Sequence, residues 1–146
     1  MGIPEKLSAV ILLASAMTTG HAKDPNTPAD QVSAIANTYY AAFHSTGSPA
    51  AIPMHENLTF SSPRFSLTGA TAFKEALSTL FKRVQSLHIT QQIHNDNTVL
   101  TFYQLDLGIP GGPIPMAERL QIDNGVIKTV ELIFDSARLP PPGSAP

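Results

Sequence analysis

The segment PMAERLQIDNG, Pro115 to Gly125, places one carboxylate in register with aliphatic side chains. In an extended strand Glu118, Leu120 and Ile122 share one face, because successive side chains point to opposite sides. A sheet backed by helices turns its aliphatic face toward them, so Glu118 is predicted to point inward. A buried carboxyl needs hydrogen-bond partners, a raised pKa or a wet enclosure, and each indicates a pocket. The alternatives are a Glu118 that escapes at the rim of the sheet, or a bulge that reverses the faces.

Two segments upstream have helical periodicity and would back such a sheet. In PADQVSAIANTYYAAFHSTG an apolar stripe from Val32 to Phe43 places Tyr39 inward and Tyr40 at the edge of the stripe or outside it. In TGATAFKEALSTLFKRV the apolar face includes Phe73, and charged residues occupy the opposite face. Both segments are predicted to be amphipathic helices.

The strands are predicted from residues that alternate with period 2. A short strand is expected over Leu58–Ser62, and four more between Leu87 and Asp135, joined mostly by hairpins. Asn124-Gly125 is a favoured pair for a two-residue type I′ turn. In the strand after the second helix, one face is predicted to hold Leu87, Ile89, Gln91 and Ile93, and the outward face His88, Thr90, Gln92 and His94. The order of elements predicts an α+β domain with helices on one face of a curved antiparallel sheet.

Composition narrows the classes of function. The net charge is -2 over 146 residues and no basic run occurs, so neither a nucleic-acid footprint nor a polybasic membrane patch is predicted. Without cysteine there is no disulfide or thiolate nucleophile. The five histidines lack metal-ligand spacing, so no metal or cofactor is predicted.

The N-terminal residues have the pattern of an export signal. The apolar run LSAVILLASAM precedes the small residues Gly20 and Ala22, which is typical of a signal peptide cleaved after Ala22. The alternative is a short helix packed on the domain. The expected organisation is a signal peptide over residues 1–22, a linker over 23–30, a domain over 31–138 and a mobile Pro-rich tail over 139–146. The mature protein is expected to be exported, periplasmic or secreted, and free of the membrane.

The element order and the motifs YYAAF, SSPRFSLTGATAFKEAL and ERLQIDNGVIKTVELIFD resemble the nuclear transport factor 2-like superfamily, in particular its SnoaL-like polyketide-cyclase and ketosteroid-isomerase group. The resemblance covers roughly residues 31–135. It implies a cone-shaped, strongly curved sheet wrapped around the N-terminal helices, with an apolar cavity open at one end. Homodimers are common in the group, so a homodimer is expected.

The resemblance also implies roles for individual residues. Ketosteroid isomerases hold a dienolate oxygen between a helix Tyr and a protonated acid on a late strand, while an Asp on the first strand moves the proton. The helix Tyr corresponds to Tyr39, and the late acid to Glu118, or to Ala117 if the hairpin is not one residue shorter. The base position corresponds to Ser62, which is not a base at neutral pH. The cavity would be lined by Phe43, Phe60, Ser62, Phe65, Tyr103 and Leu120.

A proton-transfer enzyme would therefore need another base. His55 is the candidate for that catalytic role, with His44 as the other histidine nearby in sequence. The direction of Asp106 is left open. Two functions follow: an exported protein that binds, isomerises or cyclises a small hydrophobic carbonyl compound, or a non-catalytic module of the same fold that binds an apolar ligand or forms a homodimer.

Overall fold

The computed structural model describes residues 28–143. The predicted signal peptide over residues 1–22 and most of the predicted linker lie outside this range. The elements, in chain order, are α1 (Pro28–Ala41), β1 (Met54–Ser61), β2 (Ser66–Thr68), α2 (Ala70–Phe81), β3 (Ser86–His94), β4 (Thr98–Asp106), β5 (Ile114–Asp123), β6 (Val126–Phe134) and a 3-10 turn (Ser136–Arg138). Within residues 28–143 no helix is long and apolar enough to cross a bilayer.

Six strands form one curved sheet in the order β2-β1-β6-β5-β4-β3. The four strands β3 to β6 are antiparallel, as predicted. β1 runs parallel to β6, so the sheet as a whole is mixed. The short β2 was not predicted, and β1 begins at Met54, four residues before the predicted strand. The α+β class and the sheet wrapped around helices are confirmed.

Both helices bury their apolar faces against the concave face of the sheet, in one cluster. In α2 the buried residues Phe73, Leu77 and Phe81 recur at spacings of four, which confirms the predicted stripe. In α1 the stripe is wider than predicted, because Tyr40 is only 6% exposed. Its ring packs edge-on against Tyr103 of β4 at 5.7 Å. The prediction that Tyr40 lies at the edge or outside was wrong, since the curved sheet encloses α1 on more than one side.

β5 has the predicted alternation. Leu120 and Ile122 are buried, and Arg119 and Gln121 are exposed. Glu118 is 2% exposed and points into the domain. The hairpin that follows has positive φ at both central residues, 50° at Asn124 and 75° at Gly125, as a type I′ turn requires. This turn fixes the register of β5 against β6.

A bulge between Ile89 and Gln91 changes the faces of β3. Before it Ile89 pairs with the inward residue Tyr103, and after it Gln91 pairs with the outward residue Phe102. The predicted single alternation was therefore wrong beyond the bulge. His94 lies opposite the buried Val99, and its Nδ1 is 3.4 Å from the Ser33 hydroxyl of α1.

The C-terminal segment is held against the domain rather than beginning a tail at Leu139. The Arg64 guanidinium donates hydrogen bonds to the carbonyl oxygens of Ser136, Leu139 and Pro140, at 2.6, 2.8 and 3.0 Å. Arg138 donates to carbonyls in the β4–β5 loop, including Gly111 at 2.8 Å. We call residues 136–140 the strap. Leu139 and Pro140, the first residues of the predicted Pro-rich tail, thus contact the domain through backbone carbonyls, which leave no side-chain pattern in the sequence.

Candidate functional site

A cavity of about 400 Å³ lies between the two helices and the concave face of the sheet. Most of its wall is apolar, which is typical of sites for small organic molecules. The lining residues are Tyr39, Phe43, Phe60, Ser62, Arg64, Phe65, Phe73, Ala76, Leu77, Thr79, Leu80, Arg83, Tyr103, Leu105, Leu107, Met116, Glu118, Leu132, Phe134 and Leu139.

Glu118 is the one carboxylate among these lining residues, and two tyrosine hydroxyls hold it. The Tyr39 hydroxyl donates to Oε2 at 3.0 Å, and the Tyr103 hydroxyl donates to Oε1 at 3.4 Å. All three side chains are at most 2% exposed. The contact between Tyr39 and Glu118 joins α1 to β5 across 79 residues of sequence. The two side chains that the helix periodicity and the strand alternation predicted to point inward are thus in direct contact.

Two more polar side chains surround the carboxyl group. Thr101 of β4 lies opposite Glu118 on the neighbouring strand and accepts a hydrogen bond from Gln92 Nε2 at 3.0 Å. The Tyr40 hydroxyl is buried and is close enough to Glu118 to interact electrostatically. Within residues 28–143 it is the one buried side-chain polar atom without a hydrogen bond of good geometry. Glu118 therefore lies among three tyrosines, of which Tyr39 and Tyr103 reach the cavity.

Burial decides the charge of this cluster. Loss of hydration raises the pKa of Glu118 from 4.5 to about 7, although the tyrosine hydroxyls act in the opposite direction. Burial, together with the neighbouring carboxylate, also raises the pKa of Tyr39 and of Tyr103 well above the usual 10. The tyrosines therefore keep their protons at neutral pH. The group that gains or loses a proton near pH 7 is Glu118.

Seven of the nine predicted site residues line the cavity: Tyr39, Phe43, Phe60, Ser62, Phe65, Tyr103 and Glu118. Leu120 does not line it. Its side chain is fully buried two residues farther along β5, where it pairs across the strands with Val99 and Val130 in the filled core. Leu120 therefore belongs to the packed core beside the cavity and not to its lining.

His55 is also outside the cavity. It lies near the start of β1, and its Nδ1 accepts a hydrogen bond from the Asn57 amide at 3.1 Å. Phe60, the cavity residue of the same strand, is five residues away, which is about 17 Å in an extended chain. His44 is exposed, and its Nδ1 contacts the Thr46 hydroxyl at 3.1 Å. Neither histidine is among the residues that line the cavity.

Ser62 lines the cavity, but its hydroxyl is fully used within a turn. It donates to the Phe65 carbonyl at 3.0 Å and accepts from the amides of Arg64 and Phe65, both at 3.2 Å. A side chain that bonds its own local backbone in this way fixes a turn. The position that the resemblance assigns to the base thus holds a structural residue.

Sequence reasoning missed thirteen of the twenty cavity-wall residues, among them two cationic side chains and the apolar Leu139. Arg64 belongs to the β1–β2 turn, Arg83 follows α2, and Leu139 belongs to the strap. Arg83 was predicted to lie with the charged residues opposite the apolar face, which was wrong, because it lines the cavity three and seven residues after Leu80 and Ala76. Arg64 and Leu139 are far apart in the sequence and come together only in the folded protein, so no short sequence pattern marks them as cavity residues.

Solved structures share this arrangement of elements. One is a nuclear transport factor 2-like protein of unknown function from Burkholderia xenovorans, with a TM-score of 0.64 and 14% identity over 80% of this chain and 88% of that chain. The chain has the nuclear transport factor 2-like fold. A candidate ketosteroid isomerase from Kribbella flavida has this fold too, with a TM-score of 0.62 and 18% identity over 80% of this chain and 87% of that chain.

The nuclear transport factor 2-like fold also occurs in an LEH-like epoxide hydrolase from M. tuberculosis. Its TM-score is 0.59 and its identity 17%, over 74% of this chain and 85% of that chain. No protein-family model and no curated protein matches the sequence. Isomerase-type and hydrolase-type proteins thus share one scaffold, and the chemistry of this chain must be argued from its own site.

Proposed function

We propose that this protein binds a small, mostly apolar carbonyl compound in its cavity, with the carbonyl oxygen held between Tyr39 and Glu118. One observation carries the proposal: Glu118 is buried in the cavity wall within hydrogen-bond distance of two tyrosines that line the same cavity. A wall that served only apolar contacts would gain nothing from a buried acid, which is costly to desolvate.

A carbonyl oxygen suits the donors that this cluster provides. When Glu118 is protonated, its O–H and the Tyr39 O–H are two neutral donors, and a carbonyl oxygen has two lone pairs to accept them. The apolar side chains of Phe43, Phe60 and Phe73 would cover the rest of the molecule. Donors aimed at such an oxygen also stabilise negative charge that develops on it. The same geometry would therefore polarise a bound ketone or enone.

Binding is the primary proposal, because the position of the usual base holds Ser62. A second candidate, proton transfer by Glu118 alone, is supported by its pKa of about 7. An acid with such a pKa takes up and returns protons at neutral pH. Ionised Glu118 would remove a proton from the carbon beside the carbonyl, and Tyr39 or Tyr103 would hold the oxygen. This would be an isomerase-type or cyclase-type reaction without a second carboxylate.

The test is a binding screen of the mature protein by native mass spectrometry, using small cyclic ketones and hydrocarbons of matched shape. Ketones should bind more tightly than the hydrocarbons. Tyr39→Phe should lower ketone affinity about tenfold, the usual effect of one lost buried hydrogen bond. Tyr40→Phe is the matched control, since it removes the neighbouring buried hydroxyl, which does not line the cavity. Equal effects of the two substitutions would reject the proposed oxygen site.

Deuterium exchange separates binding from catalysis. In heavy water, a bound ketone should gain deuterium beside its carbonyl if Glu118 transfers protons, and Glu118→Gln should stop this exchange. Binding without exchange above the rate in buffer would leave the protein as a ligand-binding module.

Export and self-association complete the proposal. Residues 1–22 support export, and a mass spectrum of extracytoplasmic protein should show a chain that starts at Lys23.

The convex face of the sheet supports a homodimer. There Phe102, Ala117 and Ile133 lie side by side across β4, β5 and β6, with Ile133 68% exposed. Sedimentation should find a dimer that Ile133→Lys converts to a monomer, and a monomeric wild type would reject this part.

A further inference from the structure

The mouth of the cavity differs chemically from its floor. The exposed lining residues mark the mouth: Phe65, Thr79 and Arg83, with Arg64 and Leu139 half-buried beside them. The floor is formed by fully buried side chains, among them Tyr39, Tyr103 and Glu118. The cavity therefore has a neutral or acidic inner end and a cationic outer end.

Arg64 holds a fixed positive charge at this mouth. Its guanidinium is bound to three backbone carbonyls of the strap, and the Ser62 hydroxyl fixes the turn that carries it. These acceptors are uncharged. Within residues 28–143 Arg64 has no carboxylate partner, so its charge is positioned but not neutralised.

Arg83, directly after α2, adds a second positive charge to the exposed part of the lining. It follows Ala76, Thr79 and Leu80 along the face of α2 that lines the cavity. In the described part of the chain its side chain forms neither an ion pair nor a hydrogen bond. Glu118 is the one acidic residue among the lining residues and it belongs to the floor, so no carboxylate of the lining accompanies the two arginines at the mouth.

We propose that the ligand is an amphipathic oxo-carboxylic acid, whose apolar body fills the cavity and whose carboxylate lies between Arg64 and Arg83. Its oxo oxygen would occupy the site at Tyr39 and Glu118, so this inference rests on the proposed function at that end. Arginine suits the outer end, because the planar guanidinium of Arg83 can donate two parallel hydrogen bonds to a carboxylate. Arg64 contributes its positive charge, since both of its Nη2 hydrogens already go to strap carbonyls. The charge order also orients the ligand, since its anionic end is repelled from Glu118 whenever that group is ionised.

The test compares two probes, a medium-chain oxo-carboxylic acid with its ketone far from the carboxylate, and the methyl ester of the same acid. Calorimetry at low ionic strength should show the acid binding more tightly than the ester. Arg83→Gln should weaken the acid about threefold to fivefold, the usual range for a partly exposed charge pair, and leave the ester unchanged. Arg83→Lys should keep part of the preference, and added salt should reduce it.

Lys82→Gln is the matched control. It removes the same charge from the adjacent exposed residue, which does not line the cavity. If the acid and the ester bind equally, or if Lys82→Gln weakens the acid as much as Arg83→Gln, the inference is overturned. The proposed function survives that result as long as Tyr39→Phe weakens both probes. If Tyr39→Phe weakens neither, the oxygen site is wrong and both proposals fail.

Discussion

The two faces of β5 place the same kinds of charged group in opposite surroundings. On the concave face, Glu118 is buried among tyrosines and has its pKa raised to about 7. One residue along, on the convex face, Arg119 forms an ion pair with Glu131 of β6 at 2.7 Å, and their side chains are 49% and 42% exposed. Both arrangements satisfy a carboxylate, one with neutral hydroxyls and the other with a cation.

The comparison shows that contact distance does not measure energetic importance. The shorter contact lies at the surface, where each charged group gives up hydration and its attraction to the partner is screened by solvent. It therefore contributes little to the free energy of unfolding. The longer contacts around Glu118 lie among buried side chains, so the protonation state of one group alters the stability of the whole domain. Because side chains alternate along β5, the buried Glu118 and the exposed Arg119 are adjacent in sequence.

The largest effect is expected from the apolar part of the same alternation. Leu120→Ala should lower the free energy of unfolding by about 2 to 5 kcal/mol, because it leaves a cavity in a filled core. Gln121→Ala, on the convex face, should change it by less than about 0.5 kcal/mol. Urea denaturation of the two variants measures both values. Similar losses in both would show that the faces of β5 are not distinct.

The next effect concerns the charge of Glu118. A raised pKa means that the carboxyl contributes stability fully below its unfolded pKa, and that this contribution is lost as pH rises from about 4.5 through about 7. Glu118→Gln removes the titrating group and so avoids the loss. The variant should be more stable than the wild type by roughly 3 kcal/mol at about pH 8, at 1.36 kcal/mol per pKa unit, and similar to it at about pH 4.

Denaturant melts of both proteins at the two pH values measure this difference. Asp123→Asn serves as a control from the same strand, because Asp123 is exposed and its pKa is lowered by Lys128. That variant should not gain stability at the higher pH. A constant difference between Glu118→Gln and the wild type at both pH values would mean that Glu118 is an ordinary solvated carboxylate.

The smallest effect is expected for the convex ion pair. A double-mutant cycle with Arg119→Ala and Glu131→Ala should give a coupling energy below about 1 kcal/mol, and salt should reduce it further. A coupling energy as large as the effect at Glu118 would remove the contrast between the two faces.

Much of the site was predictable from short-range patterns. Alternation alone turned Glu118 inward, and the stripe of α1 turned Tyr39 toward it, because both patterns report which face meets the core. The type I′ turn at Asn124-Gly125 then joins β5 to β6, where Glu118 lies opposite Leu132. These are local rules, and each depends on a few neighbouring residues.

The rest depends on how the sheet curves, which local rules do not encode. The bulge in β3 relieves a mismatch between strands that meet only in the folded state, so the sequence LHITQQIH still alternates without a break. The same curvature encloses α1 and buries Tyr40. Arg64 was missed because its partners, the carbonyls of the strap, lie more than seventy residues away in the chain.

The strap has a consequence for the order in which this domain is completed. Leu139 belongs to the cavity wall, yet a chain that ends near Phe134 already contains the whole sheet and both helices. The sheet can therefore form before Arg64 binds residues 136–140. A ligand that needs the finished wall would favour chains whose C-terminal segment has docked, so that binding itself would stabilise correctly completed molecules.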